Sequence, residues 1–156
     1  MKLLVSSCVL GLPTRYDGNG EFNKDEKLID ILIKKNIFFI PLCAEQLGGL
    51  ETPREPTEIE KGFTSKDILS GKGKILTKSG KDLTEKFLKG AHIVLEFCKG
   101  YEITHAVLAQ RSPSCGYSKV YDGSFEGKLI EGKGILAQLL EDNGIRIVED
   151  YRELLK

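Results

Sequence analysis

Lys2-Leu3-Leu4-Val5-Ser6-Ser7-Cys8 is a short apolar run that ends in two serines and a thiol. As the start of a secretory leader it fails, because Arg15 and Asp17 follow too soon and no small-residue cleavage site closes an apolar core. It reads instead as a β-strand whose carboxyl end delivers Cys8. The same design recurs twice. Ile37-Phe38-Phe39-Ile40 runs on to Cys43, and Ala106-Val107-Leu108-Ala109 is followed six residues later by Cys115 in the turn Ser112-Pro113-Ser114-Cys115-Gly116. Continuous apolar runs of this kind suit strands covered on both faces.

Between the runs lie helical patterns. Leu28, Ile29, Leu32 and Ile33 recur at helical spacing over 24–36, with Asn23 placed as the N-cap. Leu83, Phe87, Ala91, Val94, Leu95 and Cys98 form one face of a long helix over 81–100. A further helix over 133–142 stops at Asn143-Gly144, and Ile145, Ile147 and Val148 make a last short strand before a terminal helix. The polar middle, 58–80, carries weak signals, the best being a strand at Lys74-Ile75-Leu76-Thr77. Residues 116–132 read as a loop or small hairpin. Strands alternating with helices predict an α/β fold, a Rossmann-like three-layer α/β/α sandwich with a mostly parallel sheet. No repeat or linker interrupts it, so residues 1–156 are read as one domain.

Composition narrows the function. Lys plus Arg and Asp plus Glu are both 23, so the formal net charge is zero, and nothing points to an extended nucleic-acid surface. No segment approaches the roughly 20 apolar residues of a membrane span. The expectation is a cytoplasmic protein, a monomer, with four cysteines that serve as ligands, catalytic groups or core thiols rather than disulfides. G-x-G-x-x-G is absent after the first strand, which argues against a dinucleotide enzyme.

In an open parallel sheet the strands' carboxyl ends share one edge, and ligands bind in the crevice beside it. Cys8, Cys43 and Cys115 should meet there, and the long loops after these strands carry function. Cys98 lies on the apolar helix stripe and is expected in the core. Three scattered thiolates suit zinc with an open position, or a cubane cluster held at three irons. The absence of C-x-x-C argues against a zinc ribbon, a ferredoxin loop and a dithiol. Around the thiols, Glu45 is a candidate general base, its plainer reading a solvated loop carboxylate. Ser112 and Ser114 are candidate donors to substrate, their plainer reading turn serines bonding their own backbone. Arg15, Arg54 and Arg111 occupy the same three loops and suit a phosphate or carboxylate, or else pair with Asp17, Glu55 and similar partners. Gly48-Gly49 permits close backbone approach or forms a plain turn. His92 and His105 are read as structural or surface residues.

Taken together, Ser7-Cys8-Val9-Leu10-Gly11, Arg15-Tyr16-Asp17-Gly18, Pro41-Leu42-Cys43-Ala44-Glu45, Leu47-Gly48-Gly49-Leu50, Thr52-Pro53-Arg54, Arg111-Ser112-Pro113-Ser114-Cys115-Gly116 and Tyr121-Asp122-Gly123-Ser124-Phe125-Glu126-Gly127 resemble the thiouracil desulfidase family over nearly the whole chain. Thr14 departs from it, since many relatives have a further cysteine there. The resemblance implies a 4Fe–4S cluster on Cys8, Cys43 and Cys115, and non-redox desulfuration of thiolated pyrimidines such as 2-thiouracil or 4-thiouridine monophosphate. Substrate sulfur would bind the open iron, with Glu45 activating water, Ser112 assisting, and Arg15, Gly48, Gly49, Arg54, Arg111 and Ser114 meeting the substrate. A Cys₃ zinc hydrolase and a non-catalytic iron–sulfur sensor or sulfur-binding module are the competing readings.

Overall fold

In a computed structural model, which describes residues 1–19 and 24–156, four strands form one parallel sheet. They are β1 (Lys2–Ser6), β2 (Phe38–Leu42), β5 (His105–Val107) and β8 (Arg146–Ile147), in the order β2-β1-β5-β8. The register sets Ser6 beside Leu42 and Val5 beside Val107, so the carboxyl ends of β2, β1 and β5 lie at nearly one level. The chain moves from β1 to one neighbour, β2, and then returns to the other side for β5. That reversal is the topological switch at which such sheets open a crevice.

Alternation along β1 builds both layers. Leu3 and Val5 face the cluster containing Leu28 and Leu32 of α1 (Glu26–Lys34) and Leu154 of the terminal 3-10 helix. Leu4 faces the larger cluster, with Phe87, Ala91, Val94, Leu95 and Cys98 of α4 (Thr84–Gly100) and Ile135, Leu136 and Leu140 of α5 (Ile135–Asp142). The fold is the three-layer Rossmann-like arrangement that the alternating pattern implies. Cys98 is fully buried on the α4 stripe. Among the described residues no helix is long and apolar enough to cross a membrane.

Several elements differ from the sequence expectations. β2 is not covered on both faces. Among the described residues it is the edge strand of the sheet, and Phe38 and Phe39 are exposed. The cap of α1 is Asp25, whose side chain accepts the N–H of Leu28 at 3.0 Å; Asn23 lies outside the described residues. Residues 43–57 contain a short helix, α2 (Ala44–Leu47). The polar middle holds β3 (Thr57–Ile59) and α3 (Ser65–Leu69) as well as β4 (Ile75–Thr77), which pairs antiparallel with β3. α3 starts at a signal the sequence reading passed over: Thr64 and Asp67 form a reciprocal capping box. β6 (Lys119–Tyr121) and β7 (Leu129–Glu131) pair antiparallel, so of the loop or small hairpin expected over 116–132 the structure forms a hairpin.

Candidate active site at the carboxyl edge of the sheet

Each thiol is delivered by the local structure that ends its strand. After β1 the chain tightens into a 3-10 turn, Ser7–Leu10, containing Cys8. Gly11 closes it at φ 93°, donating its N–H to the carbonyl of Cys8. After β2 the next residue, Cys43, is the N-cap of α2. After β5 the chain runs to Cys115, whose N–H donates to Ser112 Oγ at 2.8 Å. The carbonyls of Pro113, Ser114 and Gly116 accept N–H groups from residues 134–137 at the start of α5. Gly134 makes this possible: a Cβ there would sit 2.3 Å from Ser114.

The three thiols and Glu45 share one electrostatic neighbourhood. Burial pushes Cys8 up to about 11, and the charges of Cys43 and then Glu45 add to that rise. Burial raises Cys115 still further, followed by the charge of Glu45, with Cys8 and Cys43 also contributing. Cys43 is raised first by burial. Cys98 is also pushed up to about 11, but by burial alone, so it stands apart from the trio. Thiols this hard to ionise while bare are poor nucleophiles, and a positively charged centre is what makes buried thiolates favourable. Among the described residues no three Cys, His, Asp or Glu side chains are drawn tightly enough around one point to hold a single metal ion. A zinc ion demands sulfurs at about 2.3 Å from one centre. A cluster several ångströms across takes ligands set wider apart.

Glu45 is a buried carboxylate, not a solvated loop residue. Its side chain is 14% exposed and Oε2 lies 3.3 Å from Nη2 of Arg54, itself 6% exposed. Burial raises the carboxyl above its ordinary value and the Arg54 guanidinium opposes that rise. Arg54 Nη1 donates to the Glu51 carbonyl at 3.0 Å and Thr52 Oγ1 at 2.9 Å, and Nη2 to the Thr14 carbonyl at 3.5 Å. This guanidinium holds Glu45 and ties the 51–54 loop to Thr14. Replacing Arg54 with Met is expected to cost about 3–5 kcal/mol, because an unpaired buried carboxylate remains. A denaturant midpoint measures the loss, and adding Glu45→Gln should recover much of it.

The remaining expected substrate residues divide. Arg15 lies near Cys8, with Nε 3.3 Å from Asp17 Oδ2 and its guanidinium over the Tyr16 ring. Arg111 is exposed, at φ 72°, and bridges to Val120 of β6. Ser114 is only 1% exposed beneath the start of α5, so its side chain is turned away from the surface. Gly48 lets two helices pack closely. A Cβ there would lie 2.0 Å from the Lys86 carbonyl oxygen of α4, and the Gly48 N–H closes α2 by donating to Ala44. Gly49, at φ 92°, has open space where a side chain would be. Ser112 uses its oxygen as the acceptor for Cys115 and keeps its proton for a second partner.

A family model for 2-thiouracil desulfurase matches residues 3–151. The chain belongs to that family. Among relatives of this 2-thiouracil desulfurase family member is the uncharacterized protein YbbK of Bacillus subtilis (strain 168), 41% identical over 148 residues, or 95% of each chain. A solved structure described as the [4Fe-4S]-dependent thiouracil desulfidase TudS is similar at a TM-score of 0.82 and 36% identity, covering 99% of this chain and 95% of that one.

Sequence reasoning gave no role to two residues at this edge of the family member. Thr14 receives Cys43 Sγ on its carbonyl at 3.7 Å and pairs its hydroxyl with Ser7 Oγ at 2.6 Å. Ser6 touches Cys115 directly. The available signal was two serines closing a buried apolar run, where polar side chains need a partner.

Proposed function

We propose that this protein converts thiolated pyrimidines of the 2-thiouracil class to their oxo forms, with Cys8, Cys43 and Cys115 as the thiolate ligands of a 4Fe–4S cluster. The observation that carries the reading is the meeting of three thiols and a buried carboxylate past the carboxyl ends of three adjacent parallel strands. The donor set suits such a group: three thiols, Cys115 buried and Cys8 and Cys43 partly so, each within electrostatic reach of Glu45 and hard to ionise while bare. When bound, a cluster with three protein thiolates supplies a Lewis-acidic iron with a position open to a soft sulfur atom.

The chain's own groups supply the rest. Glu45, oriented by Arg54, takes a proton from water as its oxygen attacks the sulfur-bearing carbon. Ser112 donates its hydroxyl proton to a substrate heteroatom while its oxygen remains tied to the Cys115 N–H. Water oxygen enters, hydrosulfide leaves, and carbon keeps its oxidation level, so no electron donor is needed. The preburied carboxylate is held ready by the ion pair, which limits reorganisation during the proton transfer.

The test is anaerobic reconstitution followed by 2-thiouracil addition. The expected protein is coloured, carries about four irons and four sulfides per chain, and releases sulfide together with uracil. A colourless zinc protein with equal turnover, or a coloured one that binds the thiopyrimidine without turnover, overturns this reading. Glu45→Gln should keep its iron and lose about 10²–10⁴-fold in turnover, the usual contribution of a general base. Near-normal turnover would remove Glu45 from that role.

A further inference from the structure

Ser6 closes β1 at 4% exposure, inside the sheet edge and out of reach of solvent. Its Oγ accepts the N–H of Ala109 at 2.9 Å and lies 3.6 Å from Cys115 Sγ. A serine hydroxyl has one proton and two lone pairs, and a backbone N–H can only donate. Ala109 therefore occupies a lone pair, and the proton is directed to the sulfur. Position is set from three sides. β1 pairs with β2 and β5, so Ser6 is fixed opposite Leu42. Ala109 belongs to the chain leaving β5. Cys115 is held in its turn by Ser112 and by the start of α5.

The contact at Cys43 is of the opposite kind. There the sulfur donates to the Thr14 carbonyl, a bond that disappears once the thiol proton is lost. At Cys115 the sulfur accepts, so ionisation strengthens the bond, as charge-assisted hydrogen bonds are roughly twice as strong as neutral ones.

We propose that Ser6 is a positioning residue that donates a permanent hydrogen bond to the Cys115 sulfur and so tunes the group this sulfur holds. The proposal rests on the cluster reading above. Hydrogen bonds to ligand sulfurs are one of the levers on cluster potential, because they stabilise the more negative, reduced state. They also draw electron density from the sulfur, which leaves the attached iron a stronger acid toward an incoming thiocarbonyl.

The experiment compares anaerobically reconstituted wild type, Ser6→Ala and Ser6→Thr by iron and sulfide analysis and by potentiometric titration. Ser6→Ala is expected to load with cluster but to titrate at a more negative potential, and Ser6→Thr, which restores the hydroxyl, to return toward the wild-type value. An unchanged potential in loaded Ser6→Ala overturns the proposal and leaves the desulfidase reading intact. Absence of cluster from the wild type defeats the desulfidase reading itself. Because Ser6→Ala also strands the Ala109 N–H, a wild-type measurement guards against a variant that does not fold. Resonance Raman bands of the iron–cysteine stretches are expected to shift when the protein is reconstituted in D2O, and bands that do not move overturn the proposal.

Discussion

Cys43→Ala is expected to yield a colourless protein with almost no bound iron after reconstitution, while Cys98→Ala loads like the wild type. The two cysteines differ in surroundings and not in chemistry. Cys43 caps α2 directly after β2, close enough to Glu45 and Cys8 for their charges to interact. Cys98 is sealed in the core on the α4 stripe, and burial is the only influence on its thiol. On the proposed assignment, removing one of three ligands would leave the cluster with two protein anchors. Removing Cys98 leaves only a small cavity, worth about 1 kcal/mol or less for so few atoms. Iron and sulfide content of the two variants decides the matter, and equal loss in both would reject the ligand assignment.

Gly90→Ala is expected to destabilise the protein by roughly 3 kcal/mol or more and to lower cluster loading, although Gly90 touches no sulfur. In an exposed helix the same change would stabilise by about 1 kcal/mol, since alanine is the better helix former. Here α4 meets α2 backbone to backbone. A Cβ at Gly90 would lie 1.9 Å from the Ala44 carbonyl oxygen, and one at Gly48 2.0 Å from that of Lys86. Neither oxygen can yield without moving a helix. The helix that moves is α2, which begins immediately after Cys43 and contains Glu45. Gly100, the last residue of α4, has open space around its Cβ position. Gly100→Ala should therefore be neutral or slightly stabilising. Chemical denaturation of both variants, with iron content for Gly90→Ala, measures the contrast.

Much of this fold is written locally. β1 and β5 are legible as apolar runs because both of their faces are covered, and α4 as a 3.6-residue stripe because only one of its faces is. α2 and α3 were missed for a related reason. Helices of four and five residues are too short for a period to repeat. The exposed edge of β2 was misread because Phe38 and Phe39 are as apolar as core residues, and only the order of strands reveals that β2 is the edge strand among the described residues.

The site divides along the same line. Three cysteines placed after apolar runs, and a glutamate two residues beyond one of them, are local facts of chain order, and they predict a common edge as soon as the strands are parallel. The partners of those residues are separated widely in the chain. Ser6 meets Cys115 across 109 positions, Thr14 meets Arg54 across 40, and the fully buried Ser114 is turned beneath α5. Sequence by itself determined the strands of the parallel sheet and the cysteines that follow three of them, because both follow from the short-range pattern of apolar and polar side chains. Only the tertiary structure decided that Arg54 neutralises Glu45, that Gly48 packs a helix and that Ser6 reaches a sulfur, because a hydrogen bond or backbone contact depends on angstrom-scale distance between segments whose spacing the pattern does not encode.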